Sequence, residues 1–101
     1  MTKPLIFAID IDGTICDEES PDYKDREPLP GAIEYLNNLK QAGHYIILHT
    51  GRHILHAPTT YEWLARYLVP YDHIVFNKPV ADYYIDNREI KFKKWDSVHL
   101  D

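Results

Sequence analysis

Leu5 to Ile9 is an uninterrupted apolar run that ends on two carboxylates, Asp10 and Asp12. Such a run, without polar alternation, predicts a strand buried on both faces. Residues 16–30, CDEESPDYKDREPLP, are polar and hold Pro21, Pro28 and Pro30, the signature of a loop. Pro30 stands where a first-turn proline opens a helix; Ile33, Leu36 and Leu39 share one face of it, and Gly43 offers a left-handed stop. YIILH, residues 45–49, predicts a second buried strand running up to Thr50, and GRHILHAP a loop. Thr59 and Glu62 have capping-box spacing. Tyr61, Leu64, Ala65 and Leu68 follow at helical spacing, and Pro70 ends that helix. HIVF predicts a third strand, NKP a turn and DYYID, residues 82–86, a fourth strand. Ile90, Phe92 and Trp95 mark the last stretch as a docking segment.

This order predicts an α/β fold with a mainly parallel sheet. With no repeat, linker or low-complexity tract, residues 1–101 are expected to form one domain. The net charge of −5 argues against nucleic acid as the main partner, because a phosphate backbone calls for a basic face. Cys16 is the only cysteine, which rules out an intrachain disulfide and fits a reducing cytoplasm. No apolar run approaches the roughly 20 residues of a membrane span, and the N-terminus lacks the pattern of a signal peptide. A cytoplasmic protein is therefore expected.

In open parallel sheets, ligands bind at the carboxyl ends of the strands. The residues at those ends are Asp10 and Asp12, Thr50, Asn77 and Lys78, and Asp86 and Asn87. All are polar or ionic, which points to one composite site. Asp10 and Asp12 share one side of an extended chain. Two close carboxylates repel, and a divalent cation relieves them, with Asp86 as a third oxygen donor. Mg2+ suits hard oxygen ligands that leave room for water and a phosphate. Lys78 and the Thr50 hydroxyl offer a point charge and a donor to a phosphoryl group. Gly51 permits close backbone approach, and Arg52 beside it is a candidate for substrate binding. The set reads as phosphoryl transfer. His53 and His56 lie in a loop without further ligands nearby, so substrate contact or plain exposure is expected rather than zinc. Trp63 and Tyr67 read as packing, and Cys16 as packing or loop.

DIDGT, residues 10–14, resembles the first motif of the haloacid dehalogenase superfamily of phosphatases. IILHTGR resembles the second, Lys78 the third and YYIDN the fourth, in the family's order from Leu5 to about Asn87. The resemblance implies a three-layer Rossmann-like fold with flanking helices. It also implies Asp10 as nucleophile through an aspartyl-phosphate, and Asp12 as general acid and then base. Further implied are a metal contact from the Asp12 backbone carbonyl, Thr50 and Lys78 on the phosphoryl oxygens, and Asp86 on magnesium. Asn87 stands where many members carry a second acid, which bears on metal affinity. The short stretches at both insertion points imply no cap domain. The segment from Glu62 to Arg88 is similar to small phosphatase-like proteins of capsule and surface-polysaccharide synthesis, which implies a sugar phosphate substrate. A site without a cap is closed by a bulky substrate or by a second subunit. Apolar Ile54 and Leu55 near the rim favour a homo-oligomer contact there. Two rival readings are a receiver-like signalling module and a phosphoryl-binding module without turnover. The order Asp pair, Thr, Lys, Asp speaks against the receiver, and the intact Asp10 and Asp12 speak against lost turnover.

Overall fold

The computed structural model describes residues 3–98. Three parallel strands, β1 (Ile6–Asp10), β2 (Tyr45–His49) and β3 (His73–Val75), form one sheet in the order β1-β2-β3. Helix α1 (Ala32–Gln41) joins β1 to β2, and helix α2 (Ala57–Arg66) joins β2 to β3. This is the expected α/β fold, a parallel sheet with flanking helices. Among the described residues neither insertion point carries a folded domain: the first holds a 3-10 turn at Tyr23–Asp25, the second a 3-10 turn at Ile54–His56. No helix among the described residues is long and apolar enough to cross a membrane.

The register pairs Ile6 with Tyr45, Ala8 with Ile47 and Asp10 with His49. Side chains alternate across a strand, so these six residues share one face of the sheet. Phe7, Ile9, Ile46 and Leu48 point to the other. That second face builds the core, together with Ala32, Leu36 and Leu39 of α1 and Trp63 and Leu64 of α2. The expectation that β1 is buried on both faces is corrected: Ile6 is 72% exposed, because the buried residues of both helices pack against the opposite face of the sheet.

Helix α1 ends as its sequence predicts. Gly43 takes φ +89°, its amide donates to the Lys40 carbonyl, and the His44 amide reaches back to Leu39. Those two bonds close a left-handed helix stop that a β-carbon would strain. The start differs: Gly31, also left-handed, precedes Ala32, so Pro30 lies just outside the helix. Helix α2 departs further. It begins at Ala57 with Pro58 in its first turn, so Thr59 lies inside it and forms no capping box. Its buried stripe is Thr60, Trp63 and Leu64, whereas Leu68 is 81% exposed with φ +55°.

Residues 82–86 form no strand, which corrects the fourth one predicted. Local bonds occupy the segment instead. The Tyr84 hydroxyl donates to the Pro79 carbonyl, and the Arg88 amide donates to Asp86 Oδ1 at 2.9 Å. The expected docking segment is confirmed at two of its three residues. Trp95 is buried, donates from Nε1 to the Thr14 carbonyl at 2.8 Å and packs on Tyr35 and Phe92, while Ile90 stays half-exposed.

Trp63 ties this core to the loop after β1. Its ring is buried against Tyr67, and its Nε1 donates to the Arg26 carbonyl at 2.7 Å. Trp63→Ala should cost about 3–5 kcal/mol, a large share of the roughly 5–15 kcal/mol of such a domain. Chemical denaturation would measure it, and a loss under about 1 kcal/mol would contradict this placement.

Candidate active site

Asp10 closes β1, and Lys78 sits in the turn after β3. Asp10 Oδ2 and Lys78 Nζ are 3.6 Å apart, while Asp10 Oδ1 accepts the Ile11 amide at 2.9 Å. Lys78 is brought there by backbone bonds across the strand ends. The Lys78 amide donates to the Thr50 carbonyl at 2.9 Å and the Asn77 amide to the Arg52 carbonyl at 3.0 Å. Asn77 takes φ +61°, a left-handed turn that asparagine tolerates. Gly51 lies beneath this turn, where a β-carbon would come within 2.9 Å of Val80. Its bareness therefore serves the close approach of the Lys78 turn. The Lys78 ammonium also lies 4.2 Å from the centre of the Tyr84 ring, a cation–π contact that limits its swing.

Asp12 points away from this pair, into two guanidinium groups. Arg26 Nη1 and Arg52 Nη2 each lie 2.7 Å from Asp12 Oδ1, and Arg52 Nε donates to Oδ2 at 3.0 Å. The Thr50 hydroxyl donates to Asp12 Oδ2 at 3.2 Å and accepts the Arg52 amide at 3.1 Å. Arg52 is 2% exposed; Nη1 donates to Thr60 Oγ1, and the guanidinium lies 3.9 Å from the centre of the Tyr23 ring. Burial acts to raise the Asp12 pKa, but the hydrogen bonds and charges of Arg52 and then Arg26 outweigh it and hold the carboxyl below its ordinary value. Asp12 is thus ionised at neutral pH. Cys16 lies beside it, 3.5 Å from Oδ1, with its thiol pushed up to about 12 by burial and by the Asp12 charge. A thiol this buried is inert core packing.

The structure therefore brings Asp10 and Lys78 together, and separately Asp12, Thr50 and Arg52. Arg52 does not reach out to the rim; it grips Asp12. Asp86 lines the same cavity as Asp10 and Lys78. No three His, Cys, Asp or Glu side chains among the described residues converge as a metal cluster. The donor set still fits Mg2+, which takes one or two carboxylates and keeps its remaining positions for water and phosphate. Asp10 and Asp86 supply two such carboxylates on one cavity. His53 accepts the Leu55 amide through Nδ1, His56 packs edge-on against Tyr23, and Ile54 and Leu55 are exposed.

Three residues of the site escape a sequence reading: Arg26, Tyr23 and His49. Arg26 and Tyr23 lie in the acid-rich loop of residues 17–27, where nothing in the local pattern distinguishes an inward guanidinium from a solvated one. His49 reads as the last residue of a buried strand.

A sequence profile of the haloacid dehalogenase-like hydrolases matches residues 7–99. Among solved structures, a protein from Vibrio cholerae is 30% identical with a TM-score of 0.76, covering 85% of this chain and 82% of that one. A chain of the Pnkp1/Rnl/Hen1 complex is 27% identical with a TM-score of 0.64. A chain of the Pnkp1/Rnl/Hen1 RNA repair complex is 27% identical with a TM-score of 0.61. Both alignments cover 83% of this chain but only 30% and 28% of those longer chains. None of the curated proteins compared matches.

Proposed function

We propose that this chain, which belongs to the haloacid dehalogenase-like hydrolases, is a magnesium-dependent phosphatase acting through an aspartyl-phosphate on Asp10. The observation that carries this reading is the Asp10–Lys78 pair at the strand ends, 3.6 Å apart and open to a cavity of about 840 Å3. A carboxylate beside a cation, with one oxygen held by a backbone amide, suits attack on an electrophile whose own negative charge must be offset.

Asp10 attacks phosphorus and the bond to the ester oxygen breaks. Asp12 starts ionised between Arg26 and Arg52. It takes up a proton from the arriving phosphate monoanion, whose negative charge raises its proton affinity by like-charge repulsion, and passes that proton to the leaving oxygen. Asp12 then accepts a proton from water, the hydroxide attacks the aspartyl-phosphate, and inorganic phosphate leaves with Asp10 restored. Asp12 finally releases its proton to solvent. Lys78, with Thr50 and the backbone at Gly51, would hold the phosphoryl oxygens. The geometry suits Arg52 to holding Asp12 in place rather than to binding substrate. Asp10, Asp86 and the backbone carbonyl of Asp12 would hold magnesium, which when bound offsets phosphoryl charge.

A sugar phosphate of polysaccharide assembly is the substrate favoured by the likeness of residues 62–88 to that subgroup. A second reading, hydrolysis at a phosphorylated nucleic-acid end, draws on the likeness to the Pnkp1/Rnl/Hen1 chains, and the net charge of −5 weighs against it. The test is phosphate release from an aryl phosphate, a panel of sugar phosphates and a phosphorylated oligonucleotide. Chelator should abolish release, magnesium should restore it, and calcium should restore it poorly because its looser shell misplaces the nucleophile. Full activity in excess chelator would remove the metal from the mechanism. Preference for the oligonucleotide would favour the second reading.

A further inference from the structure

We infer that Arg26 is a positioning residue for Asp12: it fixes one carboxylate oxygen so that the other is left to serve the leaving group. This rests on the phosphatase reading, in which Asp12 is first the acid and then the base, and it brings the loop after β1 into the site. Two guanidinium groups meet on Asp12 Oδ1, Arg26 through Nη1 and Arg52 through Nη2, each at 2.7 Å. Oδ2 is held more loosely, by Arg52 Nε at 3.0 Å and by the Thr50 hydroxyl at 3.2 Å. Thr50 is the group that the same reading puts on a phosphoryl oxygen. When its hydroxyl turns to the phosphoryl group, Oδ2 regains a lone pair and Oδ1 does not. In-line attack by Asp10 drives the leaving oxygen away from the nucleophile, so an acid serving that oxygen must stand clear of Asp10. Asp12 does so, turned from the Asp10–Lys78 pair to Thr50 and the arginines. Arg52 alone would not make the two oxygens unequal, because its Nε and Nη2 form a fork with one tooth on each. Arg26 adds a short contact to Oδ1 only.

Arg26 is itself held on several sides. Its side chain is 12% exposed, and Nε donates to the Ser20 carbonyl at 2.9 Å while Nη1 reaches Asp12. Its carbonyl accepts the Trp63 indole, and Arg66 Nη1 donates to the Lys24 carbonyl at 3.1 Å, so α2 grips the same turn twice. The centre of the Tyr23 ring lies 4.9 Å from the Arg26 guanidinium and 3.9 Å from that of Arg52, so one ring backs both. Residues 17–27 carry six carboxylates, yet among the described residues Arg26 makes its ion pair with Asp12 instead. A guanidinium that served only to neutralise its own loop had nearer partners.

The experiment measures kcat/KM, with magnesium, for phenyl phosphates of rising leaving-group basicity, from the 4-nitrophenyl to the unsubstituted ester. Wild type, Arg26→Met and Arg26→Lys are compared, each checked for folding by circular dichroism. A well-placed acid matters most to a basic leaving group. Arg26→Met removes every donor, so the phenyl ester should lose about tenfold more than the 4-nitrophenyl ester, a part of the roughly 10²–10⁴-fold that a positioned acid contributes. Arg26→Lys, with one ammonium in place of a planar fork, should lose about threefold more. If the Met variant does not fold, the Lys variant decides. Equal losses along the series in the deciding variant would overturn the proposal and leave the phosphatase reading standing, because an arginine that only stabilised its loop would lower all the esters alike. Wild-type protein that hydrolyses none of the esters would remove the phosphatase reading, and this inference with it.

Discussion

Asp10→Asn should lose turnover on the order of 10⁴-fold or more, the scale for removing a covalent nucleophile. The substitution takes away the attacking oxygen's charge and one metal donor, so no phosphoenzyme forms. Asp12→Asn should behave differently. Asp10 keeps its charge, and an activated aryl phosphate barely needs a proton on its leaving group. Phosphorylation of Asp10 should therefore proceed at some rate, while hydrolysis of the aspartyl-phosphate stalls for want of a base. Intact-protein mass spectrometry after rapid quench should find one added phosphoryl group in Asp12→Asn and none in Asp10→Asn. Labelling of the Asp10→Asn protein alone would reverse the two roles.

The ion pairs around Asp12 add a condition to that experiment. Asn cannot neutralise Arg52, which is 2% exposed and paired to Asp12 by both its Nε and its Nη2. Leaving a buried charge unpaired costs about 3–5 kcal/mol. Asp12→Asn should thus melt well below wild type, and Asp10→Asn close to it, because the Asp10 side chain is 35% exposed. A fold-sensitive spectrum of each variant separates lost chemistry from lost structure. Equal melting temperatures for wild type and Asp12→Asn would show that the Arg52 pair is not a stabilising contact.

Lys78→Met should lower kcat/KM by about 10²–10³-fold, the range for one electrostatic stabiliser of the transition state. Methionine keeps an unbranched stem over the Tyr84 ring and loses the charge beside Asp10. Folding should change by less than about 1 kcal/mol, since an ion pair of partly exposed groups contributes little. The position of the turn depends on backbone bonds from Asn77 and Lys78 to Arg52 and Thr50, which the substitution leaves in place. A folded Lys78→Met protein with near wild-type turnover would take Lys78 out of the site.

Local pattern carried the chain a long way. The i, i+2 spacing of Asp10 and Asp12 and the position of Lys78 after the third strand are covalent facts. Once strands form, they put Asp10 and Lys78 side by side, while Asp12 turns to the two guanidinium groups. The left-handed stop at Gly43 was legible for a similar reason, since only a residue without a β-carbon takes φ +89° at no steric cost. The order of strands and helices followed from apolar runs and their punctuation. Where the pattern misled, it concerned partners. DYYID has the composition of a strand, yet a strand exists only with a ladder, and here Ile85 is 98% exposed beside an open β1 edge. The apolar run of β1 named its residues correctly and their burial wrongly, because burial depends on what arrives from elsewhere in the chain. The pairing of Asp12 with Arg26 and Arg52, 14 and 40 residues away, is of the same kind. No periodicity encodes it; only the fold brings α2, the loop after β1 and the end of β2 close enough for two guanidinium groups to share one carboxylate.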